Sequence, residues 1–146
     1  MSSEDVDALI ARLDADRADV PPYRVVLIGA GDVAARLTAE ELAVALERAP
    51  DDEVAMALCY LIGHYEQEPA TPAVPGLIQL LSSSDPVLRA EAADAIAHAI
   101  RRGASPTEIR ELRPDAEAVV RAALGRESDP YAAEMLSDAL AGLGSS

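Results

Sequence analysis

Two histidines have the side chains best suited to metal binding or acid–base chemistry in this sequence of 146 residues. His64 and His98 occupy equivalent positions in two similar segments, and the carboxylates of Glu66, Glu91 and Asp94 could lie near them. Two imidazoles and several carboxylates could serve as metal ligands. Each histidine also falls in the last turn of a predicted helix, where an imidazole interacts favourably with the helix dipole. We favour this second interpretation, so the sequence predicts neither a metal site nor a cofactor.

A glycine-containing segment offers a second kind of chemistry. Val25–Ala34 reads VVLIGAGDVA, an apolar run followed by Gly-x-Gly-x-x-Ala. Such glycines allow a tight turn and the close approach of a dinucleotide pyrophosphate. A ribose-binding acid would then be expected near Asp51 or Asp52, at the end of a second strand, but residues 42–48 have a helical pattern and Pro50 follows them. A helix that ends at a glycine is therefore favoured over a dinucleotide site.

The remaining reactive side chains form no catalytic motif. Cys59 is the one cysteine, which excludes an internal disulfide and a cysteine-based zinc site. It lies in the apolar run 57–61 without a neighbouring cation, so a buried and inert thiol is predicted. The sequence contains no Walker loop, no Gly-x-Ser-x-Gly and no His-Glu-x-x-His. We therefore expect no catalytic residue, and an enzyme remains the alternative interpretation.

The charge balance excludes some classes of partner. The chain has 12 basic and 26 acidic side chains, for a net charge of −14. Binding to nucleic acid, or to an anionic membrane, needs a cationic surface. Residues 1–7 are acidic and unlike a signal peptide, and no apolar run approaches the roughly 20 residues that span a bilayer. The sequence predicts a cytoplasmic protein that binds neither nucleic acid nor membranes.

The chain contains an internal repeat whose sequence is typical of an α-helix. SDPVLRAEAADAIA at 84–97 and SDPYAAEMLSDALA at 128–141 share their first three residues and a similar ending, and a weaker copy spans 51–64. Asp before Pro predicts a helix start, because Asp caps free N–H groups and Pro fits the first helical position. Within the best copy one apolar stripe recurs every four residues, and its members Leu88 and Ile96 should be fully packed.

A shorter apolar helix precedes each of these starts, so the repeating unit is a pair of antiparallel helices. The predicted pairs lie at approximately 3–31, 38–66, 73–102 and 115–143 of a single domain, 1–146, and are connected by segments that contain Pro or Gly, 67–72 and 103–114. Thr38 and Glu41 form a predicted capping box at the start of the second pair. Because one pair cannot bury its apolar face alone, neighbouring pairs must stack. The expected fold is all-α, a short α-solenoid of about four pairs.

The third pair resembles a known family. VPGLIQLL at 74–81 followed by SDPVLRAEAADAI at 84–96 is similar to a HEAT repeat of the short type found in phycobilisome-lyase-like proteins. The likeness is good over 74–101, fair over 115–143 and weak over 38–66, where no arginine matches Arg89. The resemblance implies an α-solenoid whose second helices line a concave face. It implies no single function, because the family includes scaffolds, lyase chaperones, metal hydroxylases and DNA-alkylation enzymes.

The concave face is the surface on which we expect function. Residues opposite the apolar stripe should share this face, and they align in rows across the second helices, such as Ala57 with Glu91 and Met135. The helix faces also predict that Glu91 and His98 are exposed. The predicted partner-binding residues are Tyr60, His64, Glu91, Asp94, His98, Tyr131, Met135 and Asp138.

The composition of this face favours a protein partner. Tyr and Met are common anchors at recognition surfaces. An acidic groove with such anchors suits a basic peptide or a basic protein segment, and the expected function is a non-enzymatic binding module or scaffold. Two alternatives remain: an ordinary solvated face, and a small-molecule or metal enzyme or lyase-like chaperone that uses His64 and His98.

Overall fold

The described part of the chain is helical. The computed structural model describes residues 3–16, 35–65, 68–102 and 105–144. Within those ranges no β-strand occurs, which confirms the all-α prediction, and a 3₁₀ turn at Thr71–Ala73 directly precedes the fourth helix. The α-helices of these ranges are α1 Ser3–Asp16, α2 Ala39–Glu47, α3 Asp52–Gly63, α4 Val74–Leu80, α5 Pro86–Arg101, α6 Pro106–Gly125 and α7 Pro130–Gly144.

Aspartate caps open α5 and α7, as their Asp-Pro sequences predict. Asp85 accepts a hydrogen bond from the backbone N–H of Val87 at 2.9 Å, and Asp129 accepts one from that of Ala132 at 2.9 Å. The proline after each cap has no N–H to leave unpaired. The starts of both helices are therefore set by local side-chain chemistry.

The predicted capping box of α2 is confirmed. The N–H of Glu41 donates to Thr38 Oγ1 at 3.1 Å, and the N–H of Thr38 donates to Glu41 Oε1 at 2.9 Å. A third acceptor, the carboxylate oxygen Oε1 of Glu68, accepts from the N–H of Ala39 at 2.6 Å. These acceptors satisfy the first donors of α2 and hold the segment before the 3₁₀ turn against its start.

The prediction of a connection over 103–114 is wrong, because α6 occupies most of that range. Ser105 Oγ caps the helix by accepting a backbone N–H at 3.1 Å. The helix then continues through Pro114, which is exposed. A proline in a helix interior removes one backbone hydrogen bond and costs about 3 kcal/mol. Ile109 and Leu112, both before this proline, pack against the core and offset that cost.

Part of the predicted first pair lies outside the described residues. α1 matches the first helix of that pair, whereas its second helix and the glycine-containing segment 25–34 belong to the residues that are not described. The second and third pairs correspond to α2 with α3 and α4 with α5, close to the predicted bounds. No helix in the described ranges is long and apolar enough to cross a membrane.

The helices pack as a bundle with α5 at its centre. α5 contacts α7 most extensively and α3 next, while α4 also packs on α5 and α6 packs on α7. Buried side chains from every one of the seven helices join one hydrophobic cluster. Leu88 and Ile96 of α5 are completely buried, as predicted. Buried alanines along the same helix let its neighbours approach closely, and they also favour the helical state.

Two arginines connect the ends of neighbouring helices. The guanidinium of Arg89 on α5 donates to both carboxylate oxygens of Glu127, at 2.7 and 2.6 Å, and to the carbonyl oxygen of Ser83 at 2.8 Å. Arg102, the residue that caps α5, donates to the carbonyl oxygen of Gly63 at 2.9 Å, at the last turn of α3. Arg89 and Arg102 thus each donate a hydrogen bond to a backbone carbonyl oxygen at or just after the end of a helix, where such oxygens lack partners within the helix.

Candidate functional site

A groove crosses three adjacent helices on the side of α5 opposite its buried stripe. Its volume is about 460 Å³. We call it the α3–α5–α7 groove and define it by its lining residues: Met56 and Tyr60 of α3, Val87, Glu91 and Asp94 of α5, and Tyr131 and Met135 of α7.

Helical spacing explains why these side chains meet. Residues four and seven positions apart lie on one face of a helix, so Val87, Glu91 and Asp94 form a single row along α5. Tyr131 and Met135 form a four-residue pair on α7 in the same way. Since α5 packs between α3 and α7, the flanking helices place their rows on either side of this central one.

Large apolar side chains are exposed in the groove. Val87 is 39% exposed and Tyr131 is 46% exposed, and these are the exposed large hydrophobics of the described ranges. Both line the same groove, beside the half-buried thioethers of Met56 and Met135. Scattered exposed apolar residues are normal, whereas a contiguous set in a concavity is typical of a binding site.

The central row adds two carboxylates to this apolar surface. Glu91 is half-buried, and burial raises the pKa of its carboxyl, with the nearby charge of Asp94 raising it further. The pKa of the Tyr131 hydroxyl is raised by burial and by the same two carboxylates. The negative charge therefore lies within the groove, where a bound cation would relieve the repulsion between Glu91 and Asp94.

The two histidines border the acidic end of the groove. The His64 ring stacks on Tyr60 with ring centroids 4.1 Å apart, and its Nδ1 lies 2.9 Å from the Tyr60 carbonyl oxygen. The ring centroids of His64 and His98 are 6.2 Å apart, and His98 Nε2 lies 3.4 Å from Asp94 Oδ1. Among the described residues, no group of three or more His, Cys, Asp or Glu side chains could hold a metal ion.

The structure brings most of the predicted partner-binding residues together. Tyr60, Glu91, Asp94, Tyr131 and Met135 line the groove, and the two histidines lie next to it. The predicted exposure of Glu91 and His98 is wrong, because both are half-buried. Asp138 is exposed on α7 and is not among the lining residues.

Met56 and Val87 line the groove but are not among the predicted partner-binding residues. The predicted row contains Ala57, which is buried, and Met56 occupies the groove instead. Neighbouring helical residues point about 100° apart, so an error of one residue in aligning α3 with the other second helices exchanges one for the other. The spacing of Met56 four residues before Tyr60 is the signal that could have identified it.

Cys59 is buried and free, as predicted. Burial raises the pKa of its thiol, and the charge of Glu91 raises it further. A thiol held in the neutral form is a poor nucleophile and a poor metal ligand. Cys59 is thus part of the core beneath the groove rather than part of its chemistry.

Two other cavities of the described ranges lie where helices begin or end. One of about 420 Å³ lies at the start of α2, beside Glu68 and Thr38. Glu68 accepts a hydrogen bond from the backbone of Ala39 there, and Thr38 forms the capping box with Glu41. The other, of about 290 Å³, surrounds the Arg89–Glu127 pair. At both cavities, polar groups of the wall already form contacts that hold helix ends, so the α3–α5–α7 groove is the candidate functional site.

No family model, no curated protein and no solved structure matches the chain.

Proposed function

We propose that this protein is a non-enzymatic helical-repeat module, and that its α3–α5–α7 groove binds a basic segment of a protein partner. The observation that carries the proposal is the exposure of Val87 and Tyr131 beside the carboxylates of Glu91 and Asp94. Apolar side chains that are buried on binding supply affinity, whereas charges select the partner and speed its approach. A net charge of −14 supports a cationic partner and disfavours nucleic acid.

The proposal includes a HEAT-like solenoid arrangement of the pairs. Support comes from the side-by-side order α3, α5, α7, since each is the second helix of a pair and α5 contacts both others. Arg89 adds support, because it links α5 to the segment that joins α6 to α7. In such an arrangement the second helices form the concave, partner-binding side.

The experiment begins with capture of a partner from native lysate on the immobilised protein, followed by binding measurements with purified components. Glu91→Gln with Asp94→Asn removes two charges from the groove. Glu111→Gln with Asp115→Asn removes the same charge from exposed positions on α6 and is the matched control. We expect the groove variant to weaken binding about tenfold or more, while the control has little effect.

The dependence of the association rate on salt concentration provides a second test in the same binding measurement. The association rate should fall with added salt, because charges are screened beyond roughly 8 Å at physiological ionic strength. Equal weakening in both double variants would mean that only the overall acidity attracts the partner. No weakening in either would place the interface outside the α3–α5–α7 groove. Either result would contradict the proposal.

A further inference from the structure

The α3–α5–α7 groove changes in character along its length. Val87 lies in the first turn of α5, Glu91 one turn later and Asp94 almost another turn beyond it. At a rise of 1.5 Å per residue, about 10 Å separates Val87 from Asp94 along the helix axis. The groove therefore has an apolar end and an acidic end within the reach of one short peptide segment.

We infer that the groove recognises a segment carrying an apolar side chain and an arginine about 10 Å apart, rather than basic charge alone. This inference rests on the proposed function. In a polyproline II segment, which has three residues per turn and rises about 3.1 Å per residue, residues i and i+3 lie on one face about 9 Å apart. The separation in the groove therefore corresponds to the pattern apolar-x-x-Arg.

The apolar end calls for an aliphatic side chain. Val87 and Tyr131 expose more than a third of their surface there, and burying that surface is favourable. Met56 and Met135 flank them with flexible thioethers, which adapt to side chains of different shape. A purely polar basic segment would leave this surface exposed and forgo most of the available apolar burial.

The acidic end favours arginine over lysine. Glu91 and Asp94 are three residues apart on one face of α5, and the planar guanidinium can donate to two carboxylates at once. Tyr60 and Tyr131 provide aromatic rings beside these carboxylates, on which a guanidinium can stack. His98 Nε2 lies 3.4 Å from Asp94, and Glu91 lies beside the like charge of Asp94, which His64 offsets. A guanidinium would add to the compensation that these histidines provide.

Selection of phage-displayed random heptapeptides tests this inference. Three baits carry near-isosteric changes: Glu91→Gln with Asp94→Asn at the acidic end, Val87→Thr with Met135→Gln at the apolar end, and Glu111→Gln with Asp115→Asn on α6 as the control. The wild-type and control proteins should enrich peptides that combine Leu, Ile or Met with Arg. The acidic-end variant should lose the enrichment of arginine, and the apolar-end variant should lose that of the aliphatic residue. Circular dichroism establishes that each bait is folded.

The other outcomes separate the inference from the proposed function. Enrichment of polybasic peptides without an apolar residue, or of lysine as often as arginine, would overturn the inference and leave the proposed function standing. Failure to enrich any basic peptide would overturn both. Enrichment of the same peptides by all the variants would also overturn both, because the peptides would then bind outside the groove.

Discussion

Arg89 and Glu127 form the ion pair that connects α5 to the segment before α7. The Arg89 side chain is 19% exposed and that of Glu127 is 2% exposed, and the contact is bidentate. Removing one partner of a buried pair leaves the other charge uncompensated, which is far more costly than losing a surface pair. This contact therefore allows a comparison between buried and exposed pairs in one molecule.

Arg89→Gln should lower the free energy of unfolding by about 3–5 kcal/mol, because Glu127 would stay buried without its cation. The control is Arg121→Gln, which removes an exposed pair with Glu117 within α6. The control should cost less than about 1 kcal/mol. Urea unfolding monitored by circular dichroism measures both values. Equal losses would show that Glu127 is accessible to water.

The same pair makes stability depend on acid pH. Hydrogen bonds from Arg89 lower the pKa of Glu127 to about 2, from an ordinary value of 4.5. The unfolded chain then binds the proton more readily, so the stabilisation is present above pH 4.5 and is lost as the pH falls toward 2. The wild-type protein should lose more free energy of unfolding over this range than Glu127→Gln, in which the side chain does not titrate. Parallel pH profiles for the two proteins would contradict the assignment.

At the scale of elements, helix starts could be predicted from sequence because their caps are local. Thr38, Asp85 and Asp129 each act on N–H groups two or three residues away. Packing between elements could not be predicted in this way. The partner of Arg89 lies 38 residues along the chain, and the choice between Met56 and Ala57 depends on how α3 packs in the bundle.

Within α5, substitutions at buried positions should lower the free energy of unfolding far more than substitutions at exposed positions. Leu88→Ala or Ile96→Ala should cost about 2–5 kcal/mol, because both side chains are completely buried and truncation leaves a cavity. Val87→Ala, at an exposed position of the same helix, should change stability by no more than about 0.5 kcal/mol. Chemical denaturation provides the comparison. Similar costs at the two kinds of position would mean that the faces of α5 are wrongly assigned.

Pro114 tests the continuity of α6. In a continuous helix, Pro114→Ala restores one backbone hydrogen bond and removes a ring clash, so stability should rise by roughly 1–3 kcal/mol. Thermal unfolding followed by circular dichroism measures the change. A lower melting temperature would instead favour the connection that the sequence predicted over 103–114. The proline was misleading because its cost is offset by burial elsewhere along the helix, which the local sequence does not reveal.

At the scale of the whole molecule, the candidate site follows from repetition. The repeat read from the sequence predicted that Tyr60, Glu91 and Tyr131 share one face, and all three line the α3–α5–α7 groove. The half-burial of Glu91 depends on side-chain packing, and the repeat did not reveal it. The contact between Asp94 and His98 was expected, because residues four apart lie on one face of a helix. The chemistry of the groove is thus a property of neighbouring helices rather than of one motif.

The most direct test of binding in the α3–α5–α7 groove uses the methionine methyl groups. The chain has three methionines, and two of them, Met56 and Met135, line the groove. With isotope-labelled methionine methyl groups, nuclear magnetic resonance follows each of them as the captured partner, or a peptide enriched by the wild-type protein, is added. We predict that the signals of Met56 and Met135 shift together with the binding curve. Binding that leaves both groove signals unshifted would contradict the account.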